Sequence, residues 1–112
     1  MNLAGKNIKC IAFDLDYTVI NSDGTMSDAT RTVIEQAIAE GIEIVPVSGR
    51  AFATFPESIG QIKGISYAVT SNGAAIYNKK TGERIHGVAI EYADLHSILD
   101  AFADYFHNGQ IT

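Results

Sequence analysis

Two hydrophobic periods divide the chain. Ile8-Lys9-Cys10-Ile11-Ala12-Phe13 is an apolar run broken only by Lys9. A short run without alternation predicts a strand buried on both faces, with Cys10 as a small core residue. Asp14 and Asp16 follow it. Unpaired buried charge is costly, so the strand should stop here with the acids at its mouth. After the turn residues Asn21, Ser22, Asp23 and Gly24, Ser27 stands in a helix-capping position with Asp28 in the favourable first turn. Ala29, Val33, Ala37 and Ile38 then recur at helical spacing, and Gly41 suits the position just past the helix end. Residues 42–47 are β-branched-rich and predict a second strand, with Pro46 near its end.

The second half continues the alternation. A helix is expected over 51–59, disturbed by Pro56 and ended by Gly60. Tyr67-Ala68-Val69-Thr70 predicts a third strand, closed by Ser71-Asn72-Gly73. Residues 74–78 and 83–88 flank Lys79-Lys80-Thr81-Gly82 and read as a hairpin. A last helix is predicted over 92–106, with Leu95, Ile98, Leu99, Phe102 and Phe106 as its apolar stripe and Asn108-Gly109 as its stop. Asp94, Asp100 and Asp104 fall mostly off that stripe and read as a solvated face. The order of elements predicts an α/β fold: a mainly parallel sheet with right-handed crossovers, helices on its faces and a β-hairpin.

Composition narrows the function classes. At 112 residues and 46% apolar content, the chain is one domain or part of one. The net charge of -5 leaves no basic footprint for nucleic acid. No apolar stretch approaches the roughly 20 residues of a membrane span, and Met1-Asn2-Leu3-Ala4-Gly5-Lys6 lacks a signal-peptide core. A single cysteine makes no internal disulfide, so the expected setting is the reduced cytoplasm. His86, His96 and His107 have no ligand-like spacing.

The chemistry lies at the strand ends. Asp14 and Asp16 end the first strand, Ser48 and Arg50 follow the second, and Asn72 follows the third. In a parallel sheet these ends converge on one edge, where α/β proteins bind ligands. Two close carboxylates suit Mg²⁺, a hard cation that takes oxygen ligands. Ser48 and Gly49 suit a phosphate oxygen, since small residues expose backbone N–H donors. Together they make a workable phosphoryl-transfer site in which an aspartate can act as nucleophile. Each part alone has a plainer reading: Asp14 and Asp16 as a turn or cap pair, Ser48-Gly49-Arg50 as a loop tripeptide, Asn72-Gly73 as a turn.

Asp14-Leu15-Asp16-Tyr17-Thr18 resembles the first motif of the haloacid dehalogenase superfamily of phosphohydrolases, and Val47-Ser48-Gly49-Arg50 resembles its second. Ser71-Asn72-Gly73-Ala74, followed by an apolar hairpin, is similar to the Cof-type subfamily, which dephosphorylates sugar phosphates and similar metabolites. The resemblance runs from about Ile8 to the end of the chain. It implies a Rossmann-like fold and a small phosphorylated metabolite as substrate. It makes Asp14 the nucleophile that forms an aspartyl-phosphate and binds Mg²⁺. It makes Asp16 the general acid and then base, with its backbone carbonyl on the metal. Thr18, Ser48, Gly49, Arg50 and Asn72 become the phosphate- and substrate-binding set, Thr18 by holding the loop and Ser48 by bonding the transferring phosphoryl group.

Two departures from that family are visible. Tyr17 stands where the family usually has Gly, at a position whose backbone angles a tyrosine takes only with strain. The family's later lysine and acidic pair have no counterpart, since no lysine follows Lys80. The sequence therefore resembles an N-terminal part of such an enzyme: residues 1–90 as part of the α/β core and 91–112 as the helix and start of a cap. Weak or absent activity of this chain alone is expected. The competing reading is a non-catalytic interaction module that homodimerises through an exposed sheet edge or the 92–106 helix. A phosphoacceptor receiver domain is disfavoured, because Thr70-Ser71-Asn72 stands where its third-strand aspartate would be.

Overall fold

The computed structural model describes residues 2–3 and 5–107. Local chemistry sets the first long helix, α1 (Asp28–Ala39). The Ser27 hydroxyl accepts the Thr30 N–H at 3.2 Å, and Asp28 carries negative charge at the positive end of the helix dipole. Gly41, just beyond the end, takes φ 85°, which costs a glycine little. Ile34 and Ala37 are the buried positions. Of the expected core face, Ala37 is buried and Ile38 packs against the core, whereas Val33 is 62% exposed and Ile34 is buried instead.

The main sheet has five strands in sequence order: β3 (Cys10–Asp14), β4 (Glu43–Val47), β5 (Tyr67–Thr70), β6 (Ala75–Asn78) and β7 (Arg84–Gly87). The first three are parallel, and β5, β6 and β7 pair antiparallel. The β3–β4 register runs from Cys10 opposite Glu43 to Asp14 opposite Val47. Pro46 lies inside β4 with no N–H to give, and the β4–β5 pairing is registered only at Val47 and Val69. A short ribbon, β1 (Asn2–Leu3) with β2 (Lys6–Asn7), precedes the sheet and was not legible from hydrophobic pattern.

The core lies on one face of this sheet. Ile34 and Ala37 of α1, Ile44 of β4, and Ile59 of α2 (Glu57–Gly60) join Leu15, Ile20, Ile42, Ile62 and Ile65 in one buried cluster. Both helices therefore sit on the same side of the sheet. Position decides the burial of β3 as well. It is the edge of the described sheet, so Ile11 and Phe13 are half-buried while Cys10 and Ala12 on the other face are exposed. That corrects the expectation of a strand buried on both faces and of Cys10 as a core residue.

Two predicted helices break where their sequences allow it. The segment 51–59 is a 3-10 turn, Phe52–Thr54, and then α2, because Pro56 forces Phe55 to an extended φ/ψ of -61° and 141°. The last helix divides at Phe102 (φ -113°, ψ 18°) into α3 (Tyr92–Ala101) and α4 (Ala103–His107). Every residue from 80 to 102 is exposed, including Leu95, Ile98, Leu99 and Phe102 of the stripe and Asp94 and Asp100 off it. The Phe106 side chain and the Asn108-Gly109 stop lie outside the described residues. No helix among the described residues is long and apolar enough to cross a membrane.

Candidate active site

Three strand ends meet at one edge of the sheet. β3 ends at Asp14, β4 at Val47 with Ser48 beyond it, and β5 at Thr70 with a tight turn over Ser71–Gly73. They open on a cavity of about 430 Å³ lined by Ala12, Phe13, Asp14, Val47, Ser48, Gly49 and Asn72. Asp14 is exposed at its mouth, and Oδ1 accepts the Leu15 N–H at 2.8 Å. That bond orients the carboxylate and leaves Oδ2 free to act.

The loop after Asp14 is fixed by its own backbone. The Leu15 carbonyl accepts the N–H groups of Thr18, Val19 and Ile20 at 3.2, 3.1 and 2.9 Å, and Tyr17 N–H donates to the Ile20 carbonyl at 2.9 Å. Leu15 and Ile20 are fully buried and pin both ends, each worth about 2 kcal/mol of hydrophobic transfer. At the apex Tyr17 has φ 62°, a left-handed conformation that costs a non-glycine residue about 1–2 kcal/mol. Its side chain is 87% exposed. Thr18 is also exposed and is not on the cavity wall; its N–H bond to Leu15 serves the loop.

The loops after β4 and β5 are zipped together. Ser48 N–H donates to the Val69 carbonyl at 3.0 Å, Asn72 N–H to the Ser48 carbonyl at 3.1 Å, and Ser71 N–H to the Arg50 carbonyl at 2.9 Å. This holds Ser71 and Asn72 at φ 52° and 56°, followed by Gly73 at 93°. The strained turn sets the Asn72 carboxamide against Gly49, where an added Cβ would lie 2.9 Å from Asn72 Oδ1. A side chain at 49 would have to displace that carboxamide, a consequence beyond the exposed backbone amide expected of Gly49. The buried Ser48 hydroxyl accepts the Arg50 N–H at 3.1 Å, which leaves its proton for an acceptor in the cavity.

Asp16 and Arg50 form a side-on ion pair beside the cavity. Arg50 Nε donates to Oδ2 at 2.9 Å and Nη2 to Oδ1 at 2.8 Å, while Nη1 donates to the Thr54 carbonyl at 2.9 Å. Bidentate geometry of this kind is the strong form of the interaction. Both Asp16 carboxylate oxygens are thus taken, which removes its side chain as a metal ligand in this arrangement and leaves only its backbone carbonyl. Arg50 likewise serves Asp16 and does not line the cavity as a phosphate contact. No signal in the sequence links two residues this far apart.

The hydrogen bonds from Arg50 hold the Asp16 carboxyl below the usual aspartate range; the positive charge adds to this and partial burial opposes it. Asp16 stays ionised at neutral pH. A lowered carboxylate pKa contributes stability above the ordinary value and loses it as pH falls through the folded one. A carbon-detected NMR titration should therefore place the Asp16 midpoint below that of an exposed aspartate. Arg50→Ala should return it to the ordinary value, and an unchanged midpoint would contradict the pair.

No cationic side chain lines the cavity among the described residues. The Lys79 ammonium donates to the carbonyls of Ile62 and Gly60 at 2.9 and 3.3 Å, and burial lowers its pKa. No group of three or more His, Cys, Asp or Glu side chains is placed to hold a metal among the described residues. The donors at hand are Asp14 Oδ2 and the Asp16 carbonyl. One carboxylate with a carbonyl fits Mg²⁺, which keeps several waters and shares phosphate oxygens.

Comparison with known proteins bears on the family and the fold. A family model described as haloacid dehalogenase-like hydrolase matches residues 11–112. The chain is 34% identical over 93 residues to phosphatase YwpJ of Bacillus subtilis, covering 82% of this chain and 32% of that protein. It is 35% identical over 72 residues to the 5-amino-6-(5-phospho-D-ribitylamino)uracil phosphatase YcsE of the same organism, covering 64% of this chain and 29% of that protein. Among solved structures, a haloacid dehalogenase-like hydrolase from B. subtilis superposes with a TM-score of 0.72 at 32% identity, over 87% of this chain and 34% of that one. The chain spans about a third of the length of the curated relatives it matches.

Proposed function

The chain belongs to the haloacid dehalogenase-like hydrolase family, and from that premise we propose that it carries the nucleophile half of a magnesium-dependent phosphohydrolase acting on small phosphorylated metabolites. The observation that carries this reading is the exposed Asp14 carboxylate, oriented at a strand end and facing a cavity walled by Ser48, Gly49 and Asn72. YcsE, a relative, is named for a phosphorylated ribitylamino-uracil, a substrate of that size class. Residues 1–90 would supply the site, and 91–112 the start of a substrate-selecting cap.

In the proposed reaction Asp14 Oδ2 attacks phosphorus, and the bond from phosphorus to the leaving oxygen breaks. Asp16 gives that oxygen a proton. Water then attacks the aspartyl-phosphate, Asp16 takes its proton, and phosphate leaves with Asp14 restored as carboxylate. Ser48 donates its hydroxyl proton to a phosphoryl oxygen, and the Gly49 N–H and Asn72 carboxamide face the same group. Arg50 bears on the order of events: a carboxylate gripped at both oxygens is a base, and must exchange one arm of Arg50 for a proton before it can serve as acid. Asp14 and the Asp16 carbonyl would hold Mg²⁺, which supplies charge neutralisation to the phosphoryl oxygens.

The test is release of phosphate from p-nitrophenyl phosphate. Chelation with EDTA should remove the activity and added Mg²⁺ should restore it; turnover indifferent to both would refute the reading. A second reading, self-association through α3, has one observation in its favour: Leu95, Ile98, Leu99 and Phe102 form a stripe 39–46% exposed. Sedimentation at micromolar concentration separates a dimer from a monomer.

A further inference from the structure

Tyr17 is explained neither by backbone nor by packing. Its φ of 62° favours glycine, and its side chain, 87% exposed, buries almost nothing. The ring has no aromatic partner or hydrogen bond among the described residues. Yet the loop holds it firmly. Its N–H is bonded to the Ile20 carbonyl, and Leu15 and Ile20 anchor the turn on either side. Strained residues that the surroundings over-determine cluster at ligand sites, and the inference runs from the outlier to a role. Tyr17 adjoins Asp16, the residue proposed to protonate the leaving group, and follows Asp14 by three positions.

We infer that Tyr17 is a specificity-determining residue whose ring stacks on the leaving group of the substrate, favouring phosphomonoesters in which that group has a flat unsaturated face. This rests on the proposed phosphoryl-transfer site. A tyrosine ring offers a large apolar face at little conformational cost and prefers offset stacking. Because the backbone fixes its root, little ordering remains when a ring arrives. A phosphate with a small aliphatic leaving group gains nothing from it.

The experiment is equilibrium binding by NMR titration, with Mg²⁺ present, of phenyl phosphate, methyl phosphate and orthophosphate to this chain. Phenyl phosphate should bind about 3- to 10-fold more tightly than methyl phosphate. Tyr17→Ala should abolish that preference while leaving methyl phosphate and orthophosphate within about 2-fold, and Tyr17→Phe should keep it. Tyr17→Gly should also lose the preference while raising the thermal midpoint, because it relieves the left-handed strain. A merely structural tyrosine would not produce those opposed effects. Equal binding of all three ligands by the wild type, or equal weakening of all three in Tyr17→Ala, overturns the role of Tyr17 alone. Failure of the wild type to bind any of them overturns the phosphoryl-transfer site as well.

Discussion

Replacing Asp14 with asparagine is expected to take magnesium-dependent phosphate release to background. Asparagine keeps the shape and can still accept the Leu15 N–H through its oxygen, so the fold and the 15–20 loop should survive. What it loses is the anionic oxygen that attacks phosphorus and the charge that attracts the cation. The thermal midpoint should stay close to that of the wild type, which separates chemistry from folding. Asp16→Asn should act differently. It breaks an ion pair with Arg50 and removes the proton carrier, a contribution typically about 100-fold or more. Activity surviving in Asp14→Asn would remove that residue from the role.

The second large effect concerns the chain as it stands. Turnover of p-nitrophenyl phosphate should fall at least about 100-fold short of that of longer relatives. The physical reason is visible around the cavity. A phosphoryl group gathers negative charge in transfer, and no cationic side chain lines the wall among the described residues. Arg50 is committed to Asp16 and Thr54, and Lys79 to the carbonyls of Gly60 and Ile62. The cation donors amount to one carboxylate and one carbonyl, so Mg²⁺ should bind weakly. Matched assays of this chain and phosphatase YwpJ at saturating Mg²⁺ check the point. Comparable rates would show that 112 residues suffice.

Much of the fold was legible because its signals are local. Ser27, Asp28 and Gly41 bound α1 by capping chemistry, and the β-branched run ending at Val47 forms β4 despite Pro46. The converging strand ends followed from parallel order alone and brought Asp14, Ser48, Gly49 and Asn72 to one cavity. Three things were not legible. The exposed side of β3 depends on which strands and helices lie beside it, and an apolar run cannot report its neighbours. The helix over 51–59 failed because Pro56 outweighed apolar spacing. The pairing of Asp16 with Arg50 is a tertiary contact between residues 34 apart, and it changes both assignments. Gly49 is legible in sequence as an amide donor, and its contact with the Asn72 carboxamide, which a Cβ at 49 would displace, is visible only in the fold.

The central claim is that Asp14 is a nucleophile, and the location of a transferred phosphoryl group tests it most directly. Acetyl phosphate with Mg²⁺ supplies a donor whose acetate leaves without needing Asp16 as acid. In Asp16→Asn, which lacks the base for hydrolysis, the adduct should accumulate. Mass spectrometry of the intact chain and then of its peptides should find one phosphoryl group, removable by hydroxylamine, on the peptide that carries Asp14, and none in the Asp14→Asn, Asp16→Asn double variant. A phosphoryl group on Ser48 or another residue, or an adduct that persists without Asp14, would contradict the account.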